Sequence, residues 1–151
     1  MKNYRVPTLT IAGSDSSGGA GVQADLKTFS AIGTYGMSVI TAITAQNTQG
    51  VFLVEDLSKE IIEKQIEVVF EDIEPAAVKI GMVSSPEIIY TIVNQLKKYT
   101  PKYLVVDPVM ISKSGYSLLK PEAKKTLIEV PCLLSLSRKG CGFPHPQNRT
   151  K

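Results

Sequence analysis

Short β-branched runs and stretches of helical spacing take turns along this sequence. Thr8–Ala12 is the first run, and it stops at a loop rich in glycine and serine, Gly13 to Gly21. From about Ala20 to Ile32, Val22, Leu26 and Phe29 fall at i, i+4 and i+7, which predicts a helix, and Gly33 suits its end. Ser38–Ala45 is β-branched and nearly continuous, the pattern of one strand covered on both faces. Gly50–Glu55 reads as another strand. Ser58 is a candidate N-cap before Ile61, Ile62, Ile66, Val69 and Phe70, an amphipathic helix. A short strand, Ala76–Ile80, ends at Gly81. Ser85 before Pro86 fits N-cap and N1 of a helix running to about Tyr99. Tyr103–Val106 is a strand ending at Asp107-Pro108, and Pro121 opens a last helix to about Ile128.

The predicted order is β-α-β-β-α-β-α-β-α, without internal repeats. It specifies an α/β protein, a mostly parallel sheet with helices on both faces. Ligands of such sheets gather at the carboxyl ends of the strands. Four conspicuous segments follow strand ends: Gly13–Gly21, Ala45–Asn47, Lys79–Met82 and Asp107–Met110. The expectation is that they share one rim.

Composition narrows the function. With 151 residues, 43% hydrophobic and 21% charged, the chain reads as one globular domain or a piece of one. No run reaches the length of a membrane span, and the N-terminus lacks the layout of a secretory signal. Two cysteines make no disulfide framework, so the cytoplasm is the default location. The formal charge of +3 is uneven: residues 1–130 hold 13 Lys/Arg against 14 Asp/Glu, and residues 131–151 hold four basic residues and no acid. A nucleic-acid face wants basic residues across a fold, so none is expected. Cys132, Cys141 and His145 all lie after residue 130. Thiol, histidine and Cys/His zinc chemistry are therefore excluded from the body.

The glycine-rich loop admits several readings. A Walker A loop needs Lys after its glycines, and none follows Gly18, Gly19 or Gly21. Gly19–Ala24 fits the dinucleotide pattern G-x-G-x-x-A, but residues 38–50 offer no acid for a ribose. A plain turn explains one or two glycines, not four set among Ser14, Asp15, Ser16 and Ser17.

The stretch from Thr10 to Phe29, TIAGSDSSGGAGVQADLKTF, closely resembles the start of bacterial hydroxymethylpyrimidine/phosphomethylpyrimidine kinases of thiamine biosynthesis, members of the ribokinase-like superfamily. The resemblance continues through Gly36–Thr48, Lys79–Met82, Val106–Met110 and Lys113–Gly115, covering about residues 6–130. It implies ATP- and Mg²⁺-dependent phosphorylation of a primary alcohol on a small heteroaromatic ring. It also implies that Gly13, Asp25, Gln46, Met82 and Val109 line the pyrimidine pocket. Gln46 offers a donor and an acceptor to an aminopyrimidine edge, and Asp25 can accept from the amino or hydroxymethyl group. Met82 and Val109 supply apolar walls. Asp107 is placed near the phosphates and the cation, where a hard carboxylate oxygen suits Mg²⁺. Lys27 and Lys79 receive no role.

Each residue alone has a plainer reading: Asp25 as a complement to a helix dipole, Gln46 as a turn residue, Met82 and Val109 as core, Asp107 as a turn before proline. In family order, together, they favour the site. Relatives in this branch phosphorylate pyridoxal, the alternative substrate, and intact relatives are commonly homodimers.

After Val130 the resemblance stops. The family continues to a T-P-N-x-x-E segment and, later, to a G-T-G-C/D loop that forms the anion hole and carries the catalytic base. Gly140-Cys141-Gly142 is not that loop, and Pro144 and Pro146 oppose a following helix. The expectation is a family domain over 1–130, C-terminally truncated, and an unrelated basic tail over 131–151 from a frameshift, gene truncation or reading error. Impaired transfer would follow, or a non-catalytic remnant that binds pyrimidine weakly.

Overall fold

The computed structural model describes residues 5–107 together with Ala123 and Thr126. Val109, most of the helix expected from Pro121, and the tail lie outside the described residues. Ala123 and Thr126 themselves are helical and buried.

Nine elements follow in the order β1 (Pro7–Ala12), α1 (Gly21–Ala31), β2 (Tyr35–Ile40), β3 (Ala42–Asn47), β4 (Gly50–Asp56), α2 (Lys59–Asp72), β5 (Ala77–Ile80), α3 (Pro86–Tyr99) and β6 (Tyr103–Val106). Four strands form one sheet in the order β2-β1-β5-β6, all parallel. The helix ends follow the sequence. Ser58 Oγ and Ser85 Oγ accept from the N–H of Ile61 and Ile88, each at 3.4 Å, and Pro86 opens α3. Thr100 ends α3 in the left-handed region.

The two faces of the sheet differ. Leu9, Ile11, Val39, Val78 and Ile80 point to one side, where Ile62, Ile66 and Phe70 of α2 and Ile88, Ile89, Ile92 and Leu96 of α3 cover them. Each fully buried aliphatic side chain there contributes roughly 1.5–3 kcal/mol by leaving water. Thr10 and its register partner Lys79 point to the other side, where both meet Asp25 of α1. Helices on both faces are thus observed.

This division follows from the path of the chain. From β1 it moves through α1 to β2 at one side; β5 and β6 lie on the other side of β1, reached through α2 and α3. Right-handed crossovers running in opposite directions put their helices on opposite faces. The direction reverses between β1 and β5, so a crevice opens there at the carboxyl ends of the strands.

Two expectations are corrected. Ser38–Ala45 is not one strand covered on both faces. It breaks at Thr41: β2 ends in the parallel sheet, and β3 pairs antiparallel with β4 in a second, two-stranded sheet. Thr41 makes the break through long-range bonds. Its N–H donates to Ala12 O (3.0 Å), its carbonyl accepts from Leu57 N (3.0 Å), and its hydroxyl donates to Met82 O (3.0 Å). Ile61 is the second correction. It is 47% exposed, whereas Ile62, Ile66 and Phe70 carry the buried face of α2.

Replacing Ile66 by Ala should therefore cost about 2–5 kcal/mol of unfolding free energy, and Ile61→Ala less than about 1 kcal/mol. Urea titrations of both variants check this contrast.

Candidate active site

The glycine-rich loop after β1 is shaped by Asp15. Its carboxylate is 2% exposed and accepts four hydrogen bonds: Ser17 N–H (2.8 Å), Ser17 hydroxyl (2.8 Å), Gly19 N–H (2.9 Å) and Ala20 N–H (2.8 Å). Ala20, the N-cap of α1, has no capping side chain, so Asp15 satisfies this helix end from five residues upstream. Burial alone would raise the Asp15 pKa. The Ser17 hydroxyl and the N–H groups of Ser17, Ala20 and Gly19 outweigh it and hold the carboxyl below its ordinary range. Gln23 Oε1 accepts from Asp15 N–H at 2.8 Å. The sequence pointed to Asp15 only as one polar residue of the loop; the signal was its place two residues before Ser17, the spacing of an Asx turn.

Gly21 turns the chain into the helix with φ +57°, and a Cβ there would run into the carbonyl oxygen of Gly13. Only glycine serves at that point. Gly13 O in turn accepts from Val22 N–H at 3.0 Å, which fixes the start of α1 against the end of β1.

The loop is also latched to β3. Ser14 N–H donates to Ala42 O (2.8 Å), and Thr44 Oγ1 donates to Ser14 O (2.8 Å). Ser16 Oγ donates to Gln46 O (2.6 Å) and accepts from Gln46 N–H (2.9 Å). Gln46 sits at a register shift in β3, and its Oε1 lies 3.3 Å from Thr44 Oγ1. Its Nε2 has no hydrogen-bond partner among the described residues. Gly13 and Met82 pack against each other: a Cβ on Gly13 would stand 3.2 Å from Met82 Sδ. Met82 is 9% exposed, and its carbonyl is held by Thr41. Gly13, Met82 and Gln46 are thus tied together by the carboxyl ends of β1 and β5 and by β3.

Asp25 lies beyond the first turn of α1, so a helix-dipole role does not explain it. Its carboxylate is 17% exposed and paired with Lys79 Nζ at 2.9 Å to each oxygen, while Thr10 Oγ1 donates to Oδ2 at 2.6 Å. Lys79 also reaches to 3.8 Å from Asp107 Oδ2, whose side chain is 63% exposed just past β6. Gly81 makes room for this ammonium: a Cβ there would lie 2.9 Å from Ala12 Cβ and 3.2 Å from Lys79 Nζ. Lys27 donates to Gly18 O at 2.7 Å and so braces the loop. Neither lysine had a role in the sequence reading. Val109 lies outside the described residues. Among those residues no cluster of three or more His, Cys, Asp or Glu side chains is arranged for a metal ion, and no helix is long and apolar enough to cross a membrane.

A parallel α/β sheet that reverses direction between β1 and β5, with polar residues collected there, places the chain in the doubly wound α/β class. The comparisons make this specific. The phosphomethylpyrimidine kinase family model matches residues 15–135. Hydroxymethylpyrimidine/phosphomethylpyrimidine kinases of Rhizobium meliloti and Bacillus subtilis are 61% and 51% identical over 121 and 122 residues, covering 80% and 81% of this chain. The crystal structure of phosphomethylpyrimidine kinase from Clostridium difficile superposes with a TM-score of 0.78 at 84% identity, covering 83% of this chain. The Staphylococcus aureus pyridoxal kinase structure with pyridoxal superposes at 0.73 with 39% identity, over 83% of this chain and 46% of its own. The chain belongs to the phosphomethylpyrimidine kinase family. It spans 45% of the length of each of the two named sequence relatives and 54% of the Clostridium difficile chain.

Replacing Asp15 by Asn should cost about 1–3 kcal/mol at neutral pH, because N–H donors at the helix start lose their acceptor. The native pKa of Asp15 lies below the unfolded value of about 3.9. Its contribution is therefore complete above that value and is lost as pH falls through the lower native value. Urea midpoints from pH 7 to pH 2 should show the gap between wild type and Asp15→Asn closing in acid.

Proposed function

We propose that this chain carries the acceptor-binding half of an ATP-dependent hydroxymethylpyrimidine/phosphomethylpyrimidine kinase acting in thiamine biosynthesis, with a cytoplasmic setting. The observation that carries the reading is the approach of Gly13 to Met82 between β1 and β5, with Gln46 latched onto the same loop. Met82 packs its thioether against the bare backbone of Gly13, and this polarizable apolar surface is one against which a flat ring can rest. Gln46 Nε2 is available to donate to a ring nitrogen. Asp25, held by Lys79 and Thr10, presents a fixed carboxylate toward a hydroxymethyl or amino group.

Asp107 is the described residue suited to Mg²⁺. Its carboxylate is exposed, and Mg²⁺ usually takes one or two carboxylates beside substrate phosphates and water. When bound, Mg-ATP supplies the phosphoryl group. The N–H groups of the glycine-rich loop that would otherwise cradle a phosphate are occupied by Asp15, so the nucleotide is assigned to other parts of the domain. Positioning and charge stabilisation dominate such transfers, and this chain spans 45% of the length of each of the two named sequence relatives. A second reading, a pyridoxal kinase, draws support from the Staphylococcus aureus structure that holds pyridoxal.

Calorimetry of the 151-residue chain with hydroxymethylpyrimidine, and separately with pyridoxal, tests the proposal. The pyrimidine should bind more tightly, and Gln46→Ala should weaken it about five- to tenfold. A folded chain that binds neither ring sinks the proposal, and preference for pyridoxal moves it to the second reading. ADP release with Mg-ATP and the pyrimidine, above the no-substrate control, would assign the whole transfer to this chain.

A further inference from the structure

The relatives carry names for two acceptors, an alcohol and its monophosphate. The second brings a phosphate monoester, with a charge of about −1.5 to −2 near neutral pH, to the place where the first has a hydroxyl. The carboxylates beside the crevice oppose that charge. Asp25 and Asp107 face one ammonium, Lys79, so the cluster carries a formal excess of one negative charge. The other lysine at the loop, Lys27, is committed to the Gly18 carbonyl.

Lys79 is placed to answer the phosphate. Its ammonium sits over Gly81, the residue before Met82, at the carboxyl end of β5: a Cβ on Gly81 would lie 3.2 Å from Lys79 Nζ and 2.9 Å from Ala12 Cβ. Its side chain is 23% exposed. Among the described residues its hydrogen bonds run to Asp25, and Asp107 stands at 3.8 Å, beyond hydrogen-bond range. A lysine ammonium carries three donors on a flexible stem, so it can keep Asp25 and still turn a donor to an oxyanion.

We propose that Lys79 forms a phosphate subsite that admits the monophosphorylated acceptor, and that this residue, rather than the glycine-rich loop, separates recognition of the phosphate ester from recognition of the alcohol. This rests on the acceptor-binding reading above. The loop is unsuited because Asp15 already fills its N–H cradle. Thr10 and Asp25 keep the stem of Lys79 aligned, and Gly81 keeps its path open.

Calorimetry with one titrant at a time, on the full chain and on Lys79→Met and Lys79→Arg, decides the matter. The titrants are hydroxymethylpyrimidine, its monophosphate and ATP alone. Lys79→Met should weaken the monophosphate about tenfold more than it weakens the alcohol, which loses only the orientation of Asp25. Lys79→Arg should keep the monophosphate within about threefold of wild type. Equal loss of both acceptors overturns the subsite, because Lys79 would then merely hold the fold. Unchanged monophosphate affinity in Lys79→Met overturns it too, as does a loss confined to ATP, which would give the lysine to the nucleotide. A wild-type chain that binds the monophosphate through Lys79 but not the alcohol supports the subsite and counts against the pyrimidine-alcohol reading. A chain that binds neither acceptor overturns both.

Discussion

A single buried carboxylate sets the geometry on which the site depends. Asp15 gathers the N–H groups of Ser17, Gly19 and Ala20 and the hydroxyl of Ser17 around two oxygens. That closes the glycine-rich loop into one shape and gives α1 its missing cap. The same loop then fixes two separate parts of the proposed site. Through Gly13 and Val22 it anchors the helix that brings Asp25 to Lys79. Through Ser14 and Ser16 it grips β3 and so holds Gln46. A charge inside the loop costs desolvation, and four convergent donors offset it.

The residues of the loop were legible as a motif before their geometry was known. Most of the fold was legible as well. The caps at Ser58 and Ser85 and the strands β1 and β6 follow from local chemistry, and local chemistry is what a sequence displays. The break at Thr41 was not legible. Thr41 and Thr44 look alike in a β-branched run. What distinguishes them is that Thr41 bonds to Ala12, Leu57 and Met82, residues 29, 16 and 41 positions away. Adjacent isoleucines raise the same difficulty. Ile61 and Ile62 are equally apolar, and only the direction of α3 decides which one is buried.

At the site, resemblance supplied Gly13, Asp25, Gln46, Met82 and Asp107, and the structure shows how they are held. It adds contacts for Lys79, the first residue of the Lys79–Met82 motif, which had no role in the sequence reading. Its meaning comes from register: opposite Thr10 in the neighbouring strand and beneath Asp25 of the helix above. Gly81 is the trace of it in the sequence, since a glycine two residues after a strand lysine leaves space for the ammonium.

The two-faced sheet has a consequence for how such a protein can change. Along β1, neighbouring residues serve different ends: Leu9 and Ile11 join the apolar layer, while Thr10 between them meets the charged one. Lys79 lies between Val78 and Ile80 in the same way. Positions of the apolar core are therefore interleaved with, yet physically separated from, the polar positions of the proposed acceptor site. Substitutions on the α1 side can alter the ligand without opening a cavity beneath α2 and α3. Such a layout lets acceptor preference drift within a lineage while the scaffold persists, and it recommends the α1-facing positions as the place to build variant libraries.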